Sequence, residues 1–95
     1  MKITRHLRIS GRVQGVGYRA ALHAQALTHG LAGWVRNRRD GTVEAVLHGS
    51  PADVDTVLAW ANRGPAGARV TRVDAQPAQE EFDRPYSGFE FLPTD

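Results

Sequence analysis

Residues 11–19 of the chain (GRVQGVGYR) have the composition of an anion-binding loop. Alternating apolar and polar residues before the loop predict a strand, and the alanine-rich stretch after it predicts a helix. A glycine-rich turn between a strand and a helix can direct several backbone N–H groups at one anion, and the helix dipole adds positive potential there. Arg19 falls in the first helical turn, where acidic residues are preferred. This local conflict indicates a binding or catalytic site rather than a packing role.

A second group of polar residues follows the next predicted strand. Residues 31–38 and 42–48 alternate around Asp40-Gly41, a strong hairpin-turn signal. Because a crossover helix joins the first two strands, they should run in the same direction and end at the same edge of the sheet. Asn37 has the same parity as the apolar Leu31 and Val35, so its side chain should point towards the helices. We therefore expect Asn37 to lie beside the loop that precedes Arg19.

The two segments, residues 11–19 and residues 33–44 (GWVRNRRDGTVE), together resemble the signature of the acylphosphatase family in order and spacing. The resemblance covers almost the whole chain. It implies hydrolysis of the carboxyl–phosphate bond of acyl phosphates to carboxylate and inorganic phosphate. It also implies that Arg19 binds the phosphate and that Asn37 positions the attacking water. The implied phosphate-binding loop, which acts through its main-chain N–H groups, consists of Gln14, Gly15, Val16, Gly17 and Tyr18. Tyr18 replaces a residue that is often phenylalanine, a difference expected to affect packing more than chemistry.

The chemistry of an acyl phosphate requires few catalytic groups. Its leaving group is a carboxylate with a pKa of about 4–5, so it departs without a strong general acid. Phosphoryl transfer through a loose transition state is catalysed mainly by positioning and charge stabilisation. One guanidinium, a set of backbone amides and a neutral carboxamide can provide both. The sequence therefore predicts no cofactor and no obligatory metal.

The remaining elements complete a βαββαβ order. Ser50-Pro51 has the capping residues of a second helix, and Gly64-Pro65 ends it. Residues 69–75 predict a fourth main strand, and Phe89 and Phe91 indicate a short last one. We predict an α+β ferredoxin-like sandwich, with an antiparallel sheet, two helices on one face and a short extra C-terminal strand. Residues 1–95 are expected to form a single acylphosphatase-like domain.

Composition narrows the functional classes. The 95 residues include no cysteine, which excludes disulfides, thiolate metal sites and cysteine-dependent phosphatase chemistry. Residues 1–39 hold eight of the twelve Lys and Arg and none of the ten acids, which favours an anionic ligand. No apolar run approaches the ~20 residues that cross a bilayer. We expect a soluble, cytoplasmic monomer that acts on a small acyl phosphate and binds phosphate or a similar anion, without nucleic acid or membrane partners.

Two alternatives stay open at this point. The first is a non-enzymatic RNA- or anion-binding module of the same fold class. Its open sheet face would display Arg8, Arg12, Trp34, Arg36 and His48, without the aromatic pair that a sheet-type RNA reader uses. The second is a domain of a larger transferase that handles carbamoyl or acyl phosphates. The sequence specifies neither the physiological substrate nor the cellular role.

Overall fold

The computed structural model describes residues 1–95 and contains five strands and two helices. Their order along the chain is strand, helix, strand, strand, helix, strand, strand. The strands are β1 (Ile3–Arg12), β2 (Ala32–Asn37), β3 (Val43–Gly49), β4 (Arg69–Pro77) and β5 (Phe89–Phe91), and the helices are α1 (Tyr18–Thr28) and α2 (Pro51–Arg63). The predicted element order is therefore confirmed.

The strands form one sheet in the order β4-β1-β3-β2-β5. Both β1 and β2 pair antiparallel with β3, so they run in the same direction, as a crossover through α1 requires. β4 pairs antiparallel with β1. The short β5 pairs parallel with β2 at the opposite edge, which makes the sheet mixed there. This arrangement confirms the ferredoxin-like fold and brings the carboxyl ends of β1 and β2 to one edge.

A single apolar cluster lies between the helices and the sheet. Its fifteen buried residues come from β1, β2, β3, β5, both helices and the segments that connect them. The apolar residues of one parity in the alternating segments 31–38 and 42–48 all belong to it: Leu31, Val35, Val43, Ala45 and Leu47. Alternation within the strands thus fixes which side chains face the helices. The same alternation places Asn37 on the helix side and its neighbours Arg36 and Arg38 on the other face.

A bulge lies near the end of β1, before the loop. The pairing of β1 with β4 shifts register between Ser10 and Gly11. Gly11 has a φ of 121°, and a Cβ there would lie 2.1 Å from the carbonyl oxygen of Arg69. Only glycine fits this close approach. The bulge bends the strand as it enters the loop that leads to α1.

The sheet face opposite the helices is partly covered by residues 78–88. The Phe82 ring from this segment stacks on His6 with centroids 4.7 Å apart, and it contacts Trp34 edge-on at 5.7 Å. Trp34 is consequently only 4% exposed. The expectation that Trp34 would be displayed on an open sheet face is wrong, because alternation gives the face of a residue but not what a distant loop places over it.

Candidate active site

The loop between β1 and α1 leaves a group of backbone donors unpaired. Gly15 and Gly17 have φ values of 74° and 80°, in the left-handed region that glycine tolerates. The first hydrogen bond of α1 runs from the Ala21 N–H to the Gly17 carbonyl at 3.0 Å, and the N–H groups of residues 15–20 meet no acceptor in the chain. Neither a capping side chain nor an acid occupies the first turn. These N–H groups and the helix dipole therefore favour an anion.

Arg19 lies in the first turn of α1, beside those donors. Its side chain is half-buried and forms no ion pair or hydrogen bond with any other side chain of the protein. By contrast, Arg36 and Arg38 are both engaged with Glu44, at 2.7 and 3.2 Å. The Arg19 guanidinium therefore keeps its fork of donors available for a tetrahedral anion.

Asn37 ends β2 on the helix side of the sheet. Its Oδ1 atom is buried and accepts no hydrogen bond from the chain. The Asn37 backbone is held on both sides, since it pairs with Val43 of β3 and its carbonyl accepts the Asp95 N–H at 3.1 Å. A buried carboxamide oxygen without a donor is an uncommon arrangement that calls for an outside hydrogen-bond partner.

One cavity of about 360 Å³ brings these groups together. It contains Arg19 and Asn37, and the loop that carries the unpaired N–H groups. The residues lining it are Val13, Gln14, Gly15, Gly17, Tyr18, Arg19, Ala20, Asn37 and Phe91. The predicted meeting of the two motifs at one edge of the sheet is therefore present in the structure.

Three side chains of the predicted loop serve other purposes. Gln14 Nε2 donates to the carbonyls of Arg38 at 2.7 Å and Thr42 at 2.9 Å, which ties the loop to the β2–β3 hairpin. The Tyr18 hydroxyl donates to the Ala61 carbonyl at 2.8 Å, and burial raises the pKa of this phenol. Val16 packs against the core and does not line the cavity. The loop can therefore contact a ligand through its main chain rather than through these side chains.

Comparison with known proteins identifies the family. Residues 5–91 match the family model described as Acylphosphatase. The chain belongs to the acylphosphatase family. It is 48% identical to an acylphosphatase of Rhodopseudomonas palustris strain BisB18, covering 97% of this chain and 96% of the relative. It is 50% identical to one of Cupriavidus necator, covering 98% and 97%.

The structure agrees with this assignment. It superimposes on an acylphosphatase from Coxiella burnetii with a TM-score of 0.89 at 31% identity, covering 96% of this chain and 93% of that chain. The protein is thus an acylphosphatase, a hydrolase that acts on acyl phosphates. None of its helices has the length and apolarity required to span a membrane.

Sequence reasoning missed one residue of this acylphosphatase's cavity. Phe91 of β5 lines the cavity and is 51% exposed, although it was predicted only as part of a short strand. Its ring stacks on His23 of α1, with centroids 4.3 Å apart and planes inclined by 12°. Local pattern carries no signal for this contact, because the position of β5 depends on the long segment that precedes it.

A buried charge cluster on the other face was also missed. The Glu44 side chain is 3% exposed and contacts His6 at 2.6 Å and Arg36 at 2.7 Å. Burial raises the pKa of Glu44, but the hydrogen bonds from His6 and Arg36 outweigh it, so the pKa lies below its ordinary value. The register set by the Asp40-Gly41 turn, which places Glu44 opposite Arg36, was the available signal.

Several basic residues in the first half of the chain pair with carboxylates and do not face the cavity. Arg8, Arg36 and Arg38 all belong to the sheet face away from the cavity and are paired with carboxylates. Arg19 is the one charged residue among those that line the cavity. Within the cavity, the preference for an anion therefore depends on one guanidinium and the backbone donors.

Proposed function

We propose that Arg19 and the main-chain N–H groups of the loop Gln14, Gly15, Val16, Gly17 and Tyr18 bind the phosphoryl group of the substrate, and that Asn37 orients the attacking water. One observation carries this proposal. An unpaired guanidinium and an unpartnered buried carboxamide oxygen line the same cavity as a run of free backbone donors. An acyl phosphate supplies the anion that these donors lack.

The reaction then needs no group beyond these. The planar guanidinium donates to two phosphoryl oxygens, and the loop N–H groups donate to the oxygens on its other side. Asn37 Oδ1 accepts a hydrogen bond from the water, whose oxygen attacks phosphorus as the bond to the acyl oxygen breaks. The electron pair of the broken bond leaves with the carboxylate. One proton of the attacking water stays on the new P–OH group, and the other passes to an oxygen of the released phosphate. The negative charge on the equatorial oxygens stays neutralised throughout.

The same groups make a metal or cofactor unnecessary in this proposal. Arg19 and the dipole of α1 supply the positive charge that a divalent cation would otherwise provide at the phosphoryl oxygens. The departing carboxylate needs no general acid, because its pKa is about 4–5. Hydrolysis should therefore proceed at an undiminished rate with a chelator present.

We also propose that the chain acts as a single-domain monomer in the cytoplasm, without nucleic acid or membrane partners. The single apolar cluster supports one domain. The burial of Trp34 beneath residues 78–88 argues against RNA, because it removes an aromatic platform from the sheet. Light scattering, a gel shift with single-stranded RNA and cell fractionation test these points separately.

The decisive experiment measures benzoyl phosphate hydrolysis in the presence of chelator. Arg19→Ala should lower kcat/KM by two orders of magnitude or more, equivalent to about 3 kcal/mol of transition-state stabilisation. Asn37→Ala should lower kcat with a smaller change in KM, because the water and not the phosphate loses its partner. Arg63→Ala is the matched control, since Arg63 is exposed in the last turn of α2 and does not line the cavity. Wild-type turnover by a folded Arg19→Ala protein contradicts the proposal.

A further inference from the structure

An aromatic ring lies exposed at the rim of the cavity. Phe91 is 51% exposed and is one of only three large hydrophobic residues so exposed in the chain; the others are Met1 and Leu27. Of these three, only Phe91 lines the cavity. Isolated exposed apolar residues are ordinary, but one at the opening of a ligand site is informative.

The ring is held in a fixed place rather than left mobile. β5 pairs with β2, where Phe91 is the partner of Val35. Its underside stacks on the His23 ring at 4.3 Å, and His23 Nε2 donates to the Phe89 carbonyl at 3.0 Å. His23 lies one helical turn after Arg19, so both project from the same face of α1. The same helix therefore carries both the Arg19 guanidinium and the His23 ring that supports Phe91.

The cavity is larger than a phosphoryl group requires. Its volume is about 360 Å³, whereas a phosphoryl group takes the place of only a few waters at about 30 Å³ each. The space beyond the phosphate must accommodate the acyl group. With Arg19 committed to phosphate, no lining side chain remains to pair with a charged acyl group. The exposed Phe91 ring offers an apolar surface in the same space.

We propose that Phe91, supported by His23, forms a subsite for the acyl group and makes the enzyme select aromatic or bulky uncharged acyl phosphates over small or charged ones. This rests on the proposed placement of phosphate at Arg19. The acyl group packs on the exposed face of Phe91, while His23 holds the opposite face. Aromatic contacts of this kind contribute affinity beyond the area they bury.

The test compares benzoyl phosphate with acetyl phosphate in wild type and in Phe91→Ala. The variant should raise KM for benzoyl phosphate about fivefold or more while changing KM for acetyl phosphate less than twofold. Phe91→Leu, which retains apolar surface, should have a KM for benzoyl phosphate between those of the wild type and Phe91→Ala. Leu27→Ala is the control, because it removes a similarly exposed side chain outside the cavity. Equal changes for both substrates, or no change for either, overturn the subsite.

A second measurement needs only the wild-type protein. Benzylphosphonate should inhibit at several-fold lower concentration than methylphosphonate, because both carry the same anionic group and only one has a ring to pack on Phe91. Equal inhibition by the two overturns the acyl subsite and leaves the phosphate site intact. Failure of inorganic phosphate and of both phosphonates to inhibit, together with wild-type activity of Arg19→Ala, overturns the phosphate site and the subsite with it.

Discussion

Gln14 is the residue whose role can be tested most specifically, because its side chain joins the two halves of the site. Its Nε2 donates to the carbonyls of Arg38 at 2.7 Å and Thr42 at 2.9 Å. These carbonyls belong to the hairpin turn that follows Asn37. Gln14→Met keeps the length of the side chain and removes both donors. The loop that faces the phosphate would then lose its link to the hairpin.

The stability cost of Gln14→Met depends on the hydrogen bonds that the two carbonyls still accept. Each neutral hydrogen bond contributes about 1 kcal/mol net, and a carbonyl left entirely unpaired costs more. Here the Arg38 carbonyl still accepts the Gly41 N–H at 3.1 Å, and the Thr42 carbonyl still accepts the Arg38 N–H at 2.8 Å. The loss should therefore stay near 2 kcal/mol. In a domain of this size that lowers Tm by about 8–16 °C.

Gln14→Met should affect phosphate binding less than it affects turnover. Arg19 and the loop N–H groups lie together, so the inhibition constant of inorganic phosphate should change less than threefold. Asn37 lies on the other side of the broken link, so kcat should fall about tenfold or more, since small misplacements of a positioning group are costly.

Urea unfolding measures the loss of stability, and steady-state hydrolysis of benzoyl phosphate measures the fall in kcat. Both are carried out at a temperature below the Tm of the variant. Gln76→Met is the control, because Gln76 is exposed on β4 and makes no side-chain hydrogen bond. A Gln14→Met protein that loses about 2 kcal/mol but retains wild-type kcat would refute the positioning role. One that loses neither would refute the hydrogen bonds themselves.

Two further predictions concern side chains that take no part in the proposed reaction. Glu44→Gln should lower the free energy of unfolding by about 2–4 kcal/mol in urea titrations near neutral pH, because Arg36 and Arg38 then keep only the exposed Asp95 as a charged partner. The exposed Glu90→Gln should have little effect. Since the pKa of Glu44 is lowered in the folded state, this difference should be full above its ordinary value of 4.5 and shrink as pH falls below it; a difference that stays constant down to pH 2 would contradict the account. Tyr18→Phe should cost about 1–2 kcal/mol by leaving the Ala61 carbonyl, near the end of α2, without its donor, yet kcat should not change. A tenfold fall in kcat would mean that the hydroxyl takes part in the reaction.

The parts of the fold that local rules determine could be predicted from the sequence. Strand alternation identified the buried face of the hairpin. The cap of α2 is as expected: Ser50 accepts the Asp53 N–H at 3.2 Å, with Pro51 as the first helical residue. The predicted direction of β1 and β2 was enough to bring Arg19 and Asn37 to one cavity. In each case the information lies within a few residues or in a general rule of chain topology.

The parts that depend on long connections could not be predicted. Phe91 lines the cavity and Phe82 covers Trp34 because residues 78–88 cross the sheet, and no local pattern specifies that path. The burial of Glu44 depends on Arg36 of the neighbouring strand and on His6 of β1, which is distant in the sequence. The hydrogen bonds of Gln14 could not be predicted either, because their acceptors are main-chain carbonyls and no residue type indicates where these lie.

The central claim is that one guanidinium and the free N–H groups of residues 15–20 bind a single phosphate, and that the Asn37 carboxamide lies beside it to hold the attacking water. The most direct measurement is titration of the ¹⁵N-labelled protein with inorganic phosphate, followed by NMR. The account predicts saturable shifts with one dissociation constant for the amides of residues 15–20, the Arg19 Nε–H and the Asn37 side-chain amide. Unmoved signals from these groups, with shifts concentrated at Arg36 and Arg38 on the opposite face, would contradict it.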